Sequence, residues 1–183
     1  DPGYRHAPSR RLQSMQLDSL STQPSVFTYP GSNHSSVSTK DDEQFGSNSS
    51  IDGDYIIIGA RNADAYSGSA EIAGAGLAFI FYRHQGGRDQ WGLQETLHAQ
   101  QTNGTNDVTT TNARFGSNVS IKGKYALVGC PRVDDTGNQD GAAYMYFRTG
   151  TQWAIQQKIV PSSRVAEDLF GSGCSISPQA IYC

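Results

Sequence analysis

FGSNVSIKGKYALVGC, residues 115–130, is the stretch whose reading decides the fold. Phe115, Val119 and Ile121 fall on one face with Ser117, while Asn118 and Ser120 fall on the other, which is the period of a strand. Lys122-Gly123 then brings a glycine to the place where a two-residue hairpin turn needs positive φ. The following YALVG is continuously apolar, as expected of a strand covered on both faces. The stretch therefore reads as a hairpin whose second strand is buried.

The chain contains this hairpin more than once. FGSNSSIDGDYIIIGA (45–60) is an earlier copy, with Asp52-Gly53 at the turn, and FGSGCSISPQAIYC (170–183) is a shorter, later one. The two longer copies continue in parallel, through GLAFIFYR (76–83) or GAAYMYFR (141–148), a glycine-containing turn, and WGLQETL (91–97) or WAIQQKI (153–159). Trp91 thereby matches Trp153, Gln94 matches Gln156 and Leu97 matches Ile159. Each unit is four strands in up-and-down order, and only RRLQSMQLDSL (10–20) carries a helix pattern. A four-stranded sheet that recurs after roughly 50 residues is the signature of propeller blades, which hide their apolar faces against one another.

The expected fold is therefore all-β, with four-stranded antiparallel propeller-like blades at 45–97 and 115–160 and a half blade at 170–183, all within a repeat region spanning 41–183. Residues 1–40 read as a Ser/Thr/Pro-rich arm with a strand at 25–29. The residues that carry the repeat, FGSNVSIKGKYALVGCP followed by GAAYMYF, resemble the FG-GAP repeat, the blade motif of integrin α-subunit propellers and of many extracellular repeat proteins. GCP and GAR stand in the place of GAP. The resemblance implies a propeller-like fold and a role in adhesion, ligand binding or scaffolding.

Composition narrows the setting. The 183 residues are 36% hydrophobic and 17% charged, with a formal charge of −3, and Lys and Arg are scattered rather than gathered on one stripe. That excludes an electrostatic footprint for nucleic acid. No apolar run is long enough for a membrane span. Four sequons, at Asn33, Asn48, Asn103 and Asn118, favour an extracellular or cell-surface life with attached glycans, although such tripeptides also arise by chance in a chain rich in Ser, Thr and Asn. Asn33 and Asn103 lie in polar connections and are the better acceptors; Asn48 and Asn118 lie in inner strands, where packed blades leave little room. The composition of residues 19–39 also permits O-linked sugar.

Each candidate site has a plain structural counterpart. Asp134, Asp135, Asn138 and Asp140 supply hard oxygen ligands suited to Ca²⁺, but they depart from the D-x-D-x-D-G spacing of integrin-type calcium loops, so a solvated turn is the expectation. A turn at Pro178-Gln179 pairs Ile176 with Ile181 and hence Cys174 with Cys183, within disulfide reach; three buried thiols, or a bond from Cys130, remain the alternatives. Trp91 and Trp153 read as packing between blades rather than as a sugar platform. GAGLAF (74–79) precedes a strand where a phosphate loop would precede a helix, and no histidine sits with a nucleophile, a paired carboxylate or a second ligand, so no catalysis and no cofactor are expected.

Propellers need about four to eight blades, and two and a half cannot close. SVFTY (25–29) precedes Phe45 by a connection similar in length to those leading into Phe115 and Phe170, so it occupies the place of a preceding unit's last strand. Val26, Phe27 and Tyr29 of one molecule could then complete the half blade of another at Phe170, Ile176 and Ile181, covering its edge by strand addition. Such a head-to-tail contact makes a ring or a fibre. The alternative is an adhesion or carbohydrate-binding module, a segment of a longer integrin-like propeller.

Overall fold

The computed structural model describes residues 26–27, 37–38, 44–67, 70–99, 111–134, 139–163 and 167–183. Among these every regular element is a strand. β1 (Val26–Phe27) pairs antiparallel with β2 (Val37–Ser38), a partner that sequence patterning leaves unassigned. β3 (Phe45–Asp52) and β4 (Tyr55–Ala60) form the first repeated hairpin. The connection after it contains a small hairpin of its own, β5 (Ala65–Ser67) with β6 (Ala70–Ile72). β7 (Leu77–Tyr82) and β8 (Gly92–Leu97) complete a sheet of order β3-β4-β7-β8.

The second unit repeats this sheet. β9 (Asn118–Lys122), β10 (Tyr125–Cys130), β11 (Ala142–Thr149) and β12 (Gln152–Ile159) are joined antiparallel in chain order. β13 (Ser175–Ile176) and β14 (Ile181–Tyr182) form the third hairpin, with Ile176 opposite Ile181. The helix pattern at 10–20 and residue Tyr29 lie outside the described residues.

Turn chemistry explains the hairpins. Asp52 pairs with Tyr55 and Lys122 with Tyr125, so the loops are Gly53–Asp54 and Gly123–Lys124. Gly53 and Gly123 adopt φ of 59° and 60°, and a Cβ at either would meet nothing. The demand for glycine there is conformational. The repeat extends to its irregularities. A bulge falls between Ile80 and Phe81 in β7 and between Met145 and Tyr146 in β11, which are equivalent positions. The extra residues it accommodates on the outer strands are Gln94 and Gln156, the pair already matched in the sequence.

The core is made between blades rather than within them. Ile57, Leu77, Ile80 and Phe81 of the first blade are buried in one cluster with Phe115, Val128, Tyr144 and Tyr146 of the second. A smaller cluster joins Leu127 and Ala143 of the second blade to Cys174, with Phe170, Ile176 and Ile181 packed against it. Position in the stack decides exposure. Phe115 is fully buried, while its counterpart Phe45 in the first blade is 47% exposed; Ile121 is 3% exposed, Ile51 55%. Fully burying such a side chain contributes about 1.5–3 kcal/mol, so each blade added to the stack stabilises the one before it.

Candidate functional site

The recurring site of this molecule is the seam between consecutive blades. Its first part is a backbone clasp made by the Phe-Gly dipeptide. The Phe115 N–H donates to the Ala75 carbonyl (2.8 Å), and the Phe170 N–H donates to the equivalent Asp140 carbonyl (3.1 Å). The preceding residue takes the left-handed conformation in all three units: Gln44, Arg114 and Leu169, at φ of 53°, 61° and 51°. The dipeptide then lies directly on backbone. A Cβ on Gly59 would stand 2.0 Å from the Gly116 carbonyl oxygen, and one on Gly129 would stand 1.9 Å from that of Gly171. These two glycines are required by close approach, not by φ.

The second part is a pair of side-chain acceptors on each inner strand. Asn48 Oδ1 accepts from the Val119 N–H and Ser50 Oγ from the Ile121 N–H, both at 3.2 Å. One seam later, Asn118 Oδ1 accepts from the Cys174 N–H (2.9 Å) and Ser120 Oγ from the Ile176 N–H (3.2 Å). The Asn-x-Ser tripeptides at 48–50 and 118–120 are thus the hooks on which the next blade's inner strand hangs. In the third unit Gly173 stands at the asparagine position, while Ser175 keeps the serine.

Charge and outer strands close the first seam. Lys122 Nζ lies 2.6 Å from Asp52 Oδ1, and the Gly123 N–H donates to Oδ2 at 2.8 Å. The Lys122 hydrogen bond, then that of Gly123, hold the Asp52 carboxyl below its ordinary range. Trp153 Nε1 donates to Oε1 of the bulged Gln94 (3.1 Å), and the Tyr146 hydroxyl donates to the His98 carbonyl (2.5 Å). The Arg148 guanidinium lies over the Tyr55 ring, 4.3 Å from its centroid. Trp153 is buried in this contact and Trp91 packs against the core, so neither forms an open sugar platform.

The candidate residues read from sequence are distributed as follows. Cys174 and Cys183 are joined, with Cα atoms 4.1 Å apart, and Cys130 is a buried thiol whose Sγ donates to the Ala113 carbonyl. Phe170 forms a parallel bridge with Gly141 and packs on the second blade. Ile176 and Ile181 line a groove of about 770 Å³ together with Tyr125, Met145 and Phe147. Val26 and Phe27 form β1, already paired on one edge. Asn33 and Asn103 lie outside the described residues, as do Asp135 and Asn138. Asp140 is buried and Asp134 half-buried. No group of three or more acidic, histidine or cysteine side chains able to hold a metal occurs among the described residues. At the position equivalent to Asp134, the carboxylate of Asp64 accepts from the Gly74 N–H (2.9 Å) and so shapes a turn. The described residues do not assemble a calcium set.

The seam acceptors are what sequence reasoning missed. Their signal was present: asparagine and serine two residues apart on the polar face of the same strand, in both complete units.

Comparison with known proteins agrees with this geometry. The family model of the FG-GAP repeat matches residues 38–81, from β3 into β7, and 91–146, from β8 into β11. A comparison with curated proteins found no match. Among the described residues no helix is long and apolar enough to cross a membrane. With more than half of its length matched and the Phe-Gly clasp present at both seams, the chain belongs to the FG-GAP repeat family.

Proposed function

We propose that the chain is a non-catalytic, extracellular structural glycoprotein module that joins copies of itself head to tail, the β1 segment of one copy adding to the outer edge of β14 in another. The observation that carries this reading is the groove on the trailing side of the second blade. It is walled by Tyr125, Met145 and Phe147 on one side and by Ile176 and Ile181 of the third hairpin on the other. Among the described residues, β14 pairs with β13 and no strand pairs with its other edge. An apolar strand such as Val26–Phe27 laid along that edge would cover the groove and satisfy the backbone in one step. Gly173 favours strand addition over a further clasp, because the asparagine hook that a next blade would use is missing there. The extracellular setting is supported by the family, whose repeats are typical of extracellular and cell-surface proteins.

Light scattering coupled to size exclusion, followed by electron microscopy, tests the proposal. The full chain is expected to form rings or fibres, and a chain lacking residues 1–30, or carrying Phe27→Glu, is expected to remain monomeric. Assembly unchanged by both alterations would sink the head-to-tail reading. A full chain that stays monomeric would do so too, leaving the adhesion or carbohydrate-binding reading.

A further inference from the structure

Three arginines stand on the connections where the first two blades meet, and none of them pairs with a carboxylate among the described residues. Arg114 immediately precedes Phe115, and its N–H donates to the Gly74 carbonyl of the first blade at 3.2 Å. Its neighbour Ala113 accepts from the Arg132 N–H at 3.1 Å. The backbone of Arg114 is therefore fixed between a connection of the first blade and the connection of the second blade that carries Arg132. Arg61 arrives from the other side. It follows Ala60, whose nitrogen would stand 3.3 Å from a Cβ on Gly116, and its own Nε donates to Oε1 of Gln44. All three side chains are half-buried.

None of the three arginines forms an ion pair among the described residues. Arg114 Nε is shut off from solvent and has no hydrogen-bond acceptor among the described residues. Burial first, then Arg132 and Arg61, push the Arg114 guanidinium below its ordinary range, so the charges it feels are of its own sign. The fold does not impose this. The equivalent residues Gln44 and Leu169 hold the same left-handed conformation without charge.

A buried N–H donor without an acceptor is unstable unless something supplies one. Guanidinium groups present forked donors that match oxyanions, and converging forks are how proteins hold phosphate and sulfate. A carboxylate would offset one of three positive charges; a dianion offsets two. We infer that Arg61, Arg114 and Arg132 form a binding site for a tetrahedral oxyanion, sulfate or phosphate, free or as an ester, at the seam between the first two blades. The site needs no second copy and stands apart from the assembly groove.

Isothermal titration of the full chain with sodium sulfate and sodium phosphate, in chloride buffer at fixed ionic strength, tests the assignment. Saturable one-to-one binding is expected, with acetate at least tenfold weaker. Arg114→Gln, which installs the residue of the first unit, is expected to weaken binding at least tenfold. Should that variant fail to fold, Arg132→Gln carries the same expectation. Glucose 6-sulfate and glucose 6-phosphate distinguish the sources: tighter binding than the inorganic ions assigns the site to an ester, and weaker binding to the free ion. The absence of saturable binding by any of these four anions overturns the proposal. So does an affinity unchanged in the folded arginine variant.

Discussion

Gly129 illustrates how much one atom decides here. Its missing Cβ would lie 1.9 Å from the Gly171 carbonyl oxygen, a backbone atom, so no flexible side chain can yield. Gly129→Ala is expected to destabilise the chain by about 3 kcal/mol or more in urea unfolding. Gly123→Ala, strained only in φ with open space around it, should cost about 1 kcal/mol. Equal losses in the two variants would show that the seam is not held by close approach. Glu95 offers a change of the opposite sign. Burial pushes its carboxyl up, and the equivalent residue of the second blade is the uncharged Gln157. A carboxylate whose folded pKa is raised destabilises the fold above that pKa, and the penalty fades as pH falls through it. Glu95→Gln should therefore stabilise the chain by less than about 1 kcal/mol at neutral pH and by nothing in acid, as a pH series of melting temperatures would report.

Among elements, the inner strands do two jobs, and only one was legible beforehand. Alternation of Val119 and Ile121 with polar neighbours, and glycine at the turns, fix the hairpins from local physics alone. The units fold as expected for that reason. The second job, accepting hydrogen bonds from the next blade, depends on which strand lies alongside, and Asn-x-Ser carries an equally valid meaning as a glycosylation acceptor. The arginine cluster was less legible still, because Arg61, Arg114 and Arg132 come from three separate connections and share no motif. Asn118→Ala removes one acceptor from the Cys174 N–H and should cost about 1–2 kcal/mol. Hydrogen exchange should locate the loss at residues 170–176, and intact mass spectrometry should find Asn48 and Asn118 unglycosylated. Sugar on either asparagine in the folded chain would contradict the hook assignment.

At the scale of the whole molecule, stability is a sum over neighbours, as in other stacked repeats. The third hairpin is the smallest unit: like the first blade it has a single described seam, and it has only two two-residue strands. The Cys174–Cys183 bond compensates by closing a short loop, worth about 2–3 kcal/mol in the chain-entropy account. Reduction should therefore release residues 170–183 while leaving both complete blades protected from exchange. Loss of protection across all three units at once would mean that the stack unfolds as a single cooperative body.

The seam also has a direction. In both seams the side-chain hooks belong to the earlier blade and the backbone donors to the later one. A ribosome delivers the earlier blade first, so each completed sheet presents a template before the strand that will hang on it has left the exit tunnel. Vectorial synthesis and the polarity of the clasp run the same way, and the nascent chain never waits for a partner still to be made.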